Sequence, residues 1–420
     1  MTALRNLPGK EPAPVPADLA GLERLMLQAG PFPGRFRSVT DLAAAAGIEG
    51  AELERRFLAH VHLDAASWLR AARVKAARGM LAGPGLPPGP AAVAEACGFP
   101  DAAVFEAQFL AATGLRPSDY QALGGRPEFT LALPPGYRAG DMLAYHGRDP
   151  LSRSERVEGL RLVKAMALEG RAVELEMAFQ GDAVHCRVRS EAAPGAAAMV
   201  TAHQRAVRML GLGTDPAAFE RFVAGMDLQP LVAPRLGLRI PLTADVWESL
   251  VWAILGQQVN LAFAYSLRRR LTELCGGTTA SGLRVHPTPE AVAALEPEEL
   301  QPLQFSRSKA EYVIGLARKV VQGLLPLEEL PEGAATTAAL RLAVERGVGP
   351  WTTHYVLMRG CGFGDCVPLG DAGLTLALQR HHQLDHRPSV KETAALMAPF
   401  APHRSLATFH LWASLKGVPA

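Results

Sequence analysis

Apolar positions along this 420-residue chain change period twice. From 17 to 124 they recur at helical spacing, from 128 to 202 they alternate, and from 203 onward the helical spacing returns. In the first segment Ser38 can cap a helix through Leu42 and Ala46, with Asp41 as a short-armed partner in a capping box, and Gly47 ends it. A second helix follows from Gly50 to His60, with Leu53 and Phe57 on one face and Glu52, Arg55 and Arg56 off it. The layout then repeats: Ala91 to Ala96, the breaker Gly98, and a helix from Asp101 to Ala112 carrying Phe105 and Phe109. Between the copies, a helix from Trp68 to Met80 carries Arg70, Arg73, Lys75 and Arg78. This is a duplicated helix-turn-helix layout.

In the middle segment Phe129, Leu131 and Leu133 alternate with other residues, as do Val173, Leu175, Met177 and Phe179 and then Val184, Cys186 and Val188. Gln180-Gly181-Asp182-Ala183 joins the last two as a hairpin turn. Met142 to His146, with Asp141 as its N-cap, predicts a short helix beside a small antiparallel sheet. The fold class is therefore mainly α with a small α+β domain. Its expected domains are 17–124, 128–202 and 203–420, in keeping with the length.

Composition narrows this reading. With 49% hydrophobic and 20% charged residues the chain folds around real cores. A net charge of +2 gives no overall electrostatic footprint of a nucleic-acid binder, so any DNA role rests on local sites. The five cysteines are odd in number and scattered, which argues against a disulfide framework and a structural zinc, so no metal site is expected. No apolar run approaches the roughly 18 residues of a membrane span and the start lacks a signal-peptide core, so a cytoplasmic protein without membrane contact is expected.

Three motifs in the last segment carry chemistry. Val344-Glu345-Arg346-Gly347-Val348-Gly349-Pro350-Trp351-Thr352-Thr353-His354-Tyr355 sets two glycines before a helix, which suits a tight hairpin whose helix amides face a phosphate. Downstream, Asp365-Cys366-Val367-Pro368-Leu369-Gly370-Asp371 ends in an aspartate opening another helix, where the helix dipole favours a carboxylate. Upstream lies Val251-Trp252-Ala253-Ile254-Leu255-Gly256-Gln257-Gln258-Val259-Asn260, and near the end His410-Leu411-Trp412.

In this order the motifs resemble the HhH-GPD superfamily, and within it the 3-methyladenine DNA glycosylase II family. The segment 17–124, with Ala96-Cys97-Gly98-Phe99 and the closing Thr113-Gly114-Leu115-Arg116-Pro117, resembles the AraC-type double helix-turn-helix domain. The combination is similar to bacterial adaptive-response proteins, without the zinc-binding methyl-acceptor domain expected ahead of it there.

The resemblance implies hydrolysis of the N-glycosidic bond of alkylated purines, such as 3-methyladenine and 7-methylguanine, in duplex DNA. Asp371 is the implied catalytic carboxylate, stabilising an oxocarbenium-like sugar. Trp351, Tyr355 and Trp412 are the implied base pocket, with Tyr145 as a further ring from the sheet domain. Where lyase relatives carry a Schiff-base lysine this chain has Trp351, and no lysine lies between Lys319 and Lys391, so a monofunctional enzyme is expected. Gln258, or less directly Gln257, occupies the position of the residue that fills the gap left by the flipped nucleotide. Gly347, Gly349 and Thr352 are expected to hold a DNA phosphate, and Arg55 and Arg56 to contact DNA from the first recognition helix. The second recognition helix offers only Gln108 and small residues. No cofactor is required, although hairpin carbonyls in the family can bind a monovalent cation. The resemblance further implies a monomer associated with the nucleoid. A competing reading is an AraC-type regulator whose glycosylase fold senses damage without turnover.

Overall fold

The computed structural model describes residues 15–83 and 88–415. Part of the Gly/Pro run that follows the helix Ala65–Ala82 lies outside them.

The duplicated helix-turn-helix forms where the pattern places it. Ser38 caps the helix Val39–Ala46 and Asp41 reaches back to the Ser38 amide, completing the capping box, while Gly47 turns the chain at φ +65°. Helix Gly50–Val61 follows. The second copy is Pro90–Cys97, Gly98 at φ +80°, and Ala102–Thr113 capped by Asp101. Helix Ala65–Ala82 joins the two.

The sheet has five antiparallel strands: β1 (Glu128–Ala132), β2 (Glu155–Glu158), β3 (Arg161–Leu168), β4 (Arg171–Gln180) and β5 (Ala183–Arg189). Their order is β1-β5-β4-β3-β2, a meander with β1 folded back beside β5. β3 escapes the alternation rule because nearly every residue from Leu162 to Leu168 is buried. One face packs in the sheet's main core, while Val163 and Ala165 meet Leu283 and Val285 on the other. The short helix runs Ala139–His146, so Asp141 lies in its first turn, where it pairs with Arg138, and is not its N-cap.

Hydrophobic cores divide the chain differently from the three periodic segments. The first helix-turn-helix copy has its own core around Leu42, Leu53, Phe57 and Trp68. The second shares one continuous core with the sheet, in which Phe105, Phe109 and Tyr120 sit with Leu131, Leu175 and Met177. Helix Ala196–Met209 seals that core, and its buried His203 bonds the Thr113 carbonyl at 2.8 Å between the Tyr120 and Phe129 rings. The helical third core includes Val246–Gly256, Arg307–Val321, the hairpin helices Ala335–Ala343 and Pro350–Val356, Ala372–His381 and Arg404–Ser414. Contacts such as His60 to Thr336 (3.0 Å), Glu23 to Thr337 and Lys75 to Glu332 (2.5 Å) fasten the first copy to it.

Candidate active site

Asp371 ends the loop Asp365–Gly370 and caps helix Ala372–His381, accepting from the Leu374 amide at 2.7 Å. The same oxygen, Oδ1, accepts the Trp412 indole N–H at 2.9 Å, and Oδ2 accepts that of Trp351 at 3.1 Å. Three donors from three helices thus fix one carboxylate that stays partly exposed. The helix cap and the fixing of the carboxylate are one arrangement: the helix start that orients Asp371 also supplies one of its three donors.

The predicted aromatic residues converge. Trp351 stacks on Tyr355 with centroids 5.3 Å apart and planes 29° apart, and Tyr355 lies 6.4 Å from Trp412. Burial pushes the Tyr355 phenol up, so it stays neutral. Tyr355 also lines a small open cleft between the sheet and the helical segment that follows it, with Tyr145, Trp252 and Tyr265 as further rings. Tyr145 therefore faces the same cleft, from the sheet side. Its ring already carries two guanidinium groups, Arg148 at 3.7 Å and Arg359 at 4.5 Å from the centroid.

An ion network floors the cleft and joins the two halves. Lys164 of β3, 2% exposed, reaches Glu248 at 2.6 Å, and Arg268 reaches Glu155 of β2 at 2.9 Å. Burial alone would raise both glutamates, but Lys164 beside them holds their carboxyls below the usual range.

In the hairpin Gly347 has φ +84°, and a side chain there would strike the Tyr312 ring. Gly349 is extended, with φ −101° and ψ 179°, and caps the helix Pro350–Val356, so positive φ is needed at only one of the two glycines. Thr352 is buried, and its hydroxyl accepts from Gln257 Nε2 at 2.9 Å. Gln257 also donates to the Gly347 carbonyl at 2.8 Å, locking the upstream loop to the hairpin. Gln258, exposed at φ +54°, is the one of the pair that projects outward. Lys309 anchors the same loop, its Nζ donating to the carbonyls of Ile254 (2.9 Å), Leu255 (3.0 Å) and Gln257 (2.7 Å).

Residues 251–402 match the family described as HhH-GPD superfamily base excision DNA repair protein, and residues 42–122 match a helix-turn-helix domain. The chain carries an HhH-GPD domain behind an AraC-type helix-turn-helix domain. The HhH-GPD part is 37% identical over 179 residues to the DNA-3-methyladenine glycosylase of Bacillus subtilis, covering 42% of this chain and 59% of that protein. A Mycobacterium tuberculosis protein named probable bifunctional transcriptional activator/DNA repair enzyme AlkA is 34% identical over 225 residues, 52% of this chain and 43% of its own length. The chain thus spans less than two thirds of these curated relatives. Among solved structures, the 3-methyladenine DNA-glycosylase from Archaeoglobus fulgidus shares the fold, with TM-score 0.61 at 22% identity over 69% of this chain and 99% of that one.

The AraC-type domain places its predicted DNA contacts less freely. Arg55 is exposed but bonds Glu52 twice at 2.8 Å and reaches Asp18 at 3.5 Å, while Arg56 bonds Glu52 at 2.6 Å. The Glu52 carboxyl is held down to about 2 by those two arginines. Gln108 sits half-buried on a helix whose exposed positions are alanines and Glu106. Three features escaped sequence reasoning: the Lys309 anchor, the ion network, and the arginines on Tyr145. A fourth, Asp227 with His381 and His382, gathers ligand-type atoms within 4.8 Å of one another. No helix of the described residues is long and apolar enough to cross a membrane.

Proposed function

We propose that this chain is a monofunctional base-excision DNA glycosylase that hydrolyses the N-glycosidic bond of alkylated purines in duplex DNA. Supporting it is the Asp371 carboxylate, held by two indole N–H donors and a helix cap beside a cluster of aromatic rings. Cleavage leaves positive charge on the sugar, and a fixed anion at the anomeric carbon stabilises it without reorganising. Oδ2, which among the described residues accepts only the Trp351 N–H, has a free lone pair to face that cation or orient water. The flipped base stacks among the rings of Tyr355, Trp351 and Trp412, and a base that already carries charge leaves without a general acid.

Gln258 fills the gap left in the duplex, the hairpin amides beyond Gly349 hold a phosphate, and the helix-turn-helix half adds duplex contacts. No cofactor enters the chemistry. A monovalent cation at the hairpin carbonyls would share the Gly347 oxygen with Gln257. The protein acts as a monomer on DNA in the cytoplasm. Three donors aimed at one carboxylate favour turnover over a purely sensing role.

The test is base release from methylated duplex DNA. Asp371→Asn should abolish release, a loss of about 3 kcal/mol or more of transition-state stabilisation, with duplex binding retained. Release at the unchanged rate by that variant would overturn the assignment.

A further inference from the structure

The helix that Asp371 caps ends in two adjacent histidines, His381 as its last residue and His382 as its C-cap. Gln383 then takes φ +54°, its amide donates to the Arg380 carbonyl at 3.4 Å, and the Leu384 amide donates to that of Gln379 at 2.9 Å. These are the two bonds that close a helix end through a left-handed residue, so the backbone under both histidines is fixed. Facing them is Asp227, in the turn that leads into the short helix Gln229–Val232. That turn is held by the Met226 amide on the Val223 carbonyl at 2.9 Å and the Gln229 amide on that of Met226 at 3.1 Å, with the adjacent Leu228 fully buried.

Asp227 Oδ2 lies 3.9 Å from His381 Nε2 and 3.8 Å from His382 Nδ1, and the three atoms fall within 4.8 Å of one another. Those separations are too long for hydrogen bonds. Donors held at about 2.0–2.2 Å around a tetrahedral ion stand roughly 3.3–3.6 Å apart, so small rotations of the exposed Asp227 side chain close the trio around one. Burial, and then the neighbouring His382, pull the His381 imidazole below its usual range, which leaves it neutral with a lone pair to give. His382 Nε2 is buried without a partner, so Nδ1, which faces the carboxylate, is the nitrogen left to bind. The helix C-terminus adds its partial negative charge. Among the described residues no other three His, Cys, Asp or Glu side chains gather in this way.

We propose that Asp227, His381 and His382 bind one divalent transition-metal ion of the class that two imidazoles and a carboxylate select, zinc among them, and that the ion clips the Asp227 turn to the helix Ala372–His381. Water completes the fourth position. By the rise of a ten-residue helix the site lies about 15 Å from Asp371, so the ion touches no reacting atom. Its role is mechanical. Helix Gln229–Val232 packs on Arg404–Ser414, the helix of Trp412, so one ion ties together the supports of the carboxylate and of an indole that holds it.

The experiment takes the full chain without a polyhistidine tag, strips it of metal with a chelator and titrates it with zinc chloride in competition with a chelating dye. One ion per chain should bind saturably. Asp227→Ala and His382→Ala should each weaken that binding roughly tenfold or more. His386→Ala removes an exposed histidine that pairs instead with Asp385 and Glu392, and should leave it unchanged. Zinc should raise the melting temperature of the wild type and of His386→Ala, but not of the two site variants. Asp227 is exposed, so its variant tests the site even where His382→Ala fails to fold. No saturable binding by the wild type overturns the proposal. So does binding that survives Asp227→Ala or a folded His382→Ala, or that is lost with His386→Ala. One bound ion without a rise in melting temperature overturns the clip. Base release is not a readout in this experiment, so failure of the glycosylase reading leaves its outcome untouched.

Discussion

Trp412 donates its indole N–H to Asp371 Oδ1 at 2.9 Å, the oxygen that also caps the following helix. Its ring belongs to the aromatic cluster and its nitrogen to the carboxylate, so one side chain has two separable duties. Trp412→Phe keeps a ring and removes the donor. A hydrogen bond to a charged group contributes about 1.5–3 kcal/mol, so single-turnover base release should fall roughly ten- to a hundredfold. Affinity for a lesion duplex should change by no more than about twofold. A loss of affinity at unchanged rate would make stacking the only role of Trp412.

Trp351, the residue that the family resemblance sets against a Schiff-base lysine, has its Nε1 committed to Asp371 at 3.1 Å. With no amine there to attack the sugar, borohydride treatment during turnover should trap no covalent protein–DNA adduct. Efficient trapping would show lyase chemistry from an amine elsewhere.

Gln257 and Gln258 are neighbours with opposite placements. Gln257→Ala leaves the Gly347 carbonyl and the buried Thr352 hydroxyl without a partner, and should cost about 1–3 kcal/mol of stability in denaturant unfolding. Gln258→Ala removes only an exposed side chain held at φ +54°. It should leave the unfolding midpoint unchanged and slow base flipping, read by the fluorescence of 2-aminopurine beside the lesion. The reverse pattern would exchange the two roles.

The two hairpin glycines differ in the same way. Gly347→Ala puts a methyl against the Tyr312 ring at a backbone angle disfavoured for L-residues by roughly 1–2 kcal/mol, before the clash is counted. Gly349→Ala meets nothing within 4 Å and keeps a negative φ. Gly347→Ala should therefore lower the melting temperature and lesion-duplex affinity together, while Gly349→Ala should leave the melting temperature near wild type. Equal destabilisation by both would contradict the hairpin geometry.

These contrasts show what sequence patterns carry. Capping and turn chemistry is local, so Ser38 with Asp41, Gly47, Gly98 and the Gly181-Asp182 turn could be read directly. That Asp371 and the Trp351, Tyr355 and Trp412 rings come together follows motifs set at a helix start or along a helix face. β3 was not legible, since burial on both faces erases alternation. Nor was the division of cores: Phe109 and Tyr120 have the spacing of a free helix-turn-helix, yet they share one core with sheet residues distant in the chain. Lys309 and Arg148 look like ordinary surface cations until folding brings Lys309 to carbonyls more than fifty residues away and Arg148 over Tyr145 at the cleft.

The cleft floor gives a pH-dependent prediction. Lys164 and Glu248 lie 84 residues apart in sequence and 2.6 Å apart in the fold, both buried, and the pair joins the sheet to the helical third. Burial by itself would raise the Glu248 carboxyl, yet Lys164 holds it below its usual 4.5, and Glu155 is held well below by Lys164 and Arg268. With folded-state values depressed, the unfolded chain binds more protons through the acid range. The stabilisation is therefore complete above about pH 4.5 and lost as pH falls through the folded-state values. Glu248→Gln leaves the Lys164 ammonium buried with a weaker partner, a change that typically costs about 3–5 kcal/mol. Urea unfolding at pH 7 should show that deficit. The gap to wild type should then narrow on moving below pH 4.5, because acid removes from the wild type the charge the variant already lacks. A gap that stays constant from pH 7 into the acid range would mean that packing, not the ion pair, holds the cleft floor together.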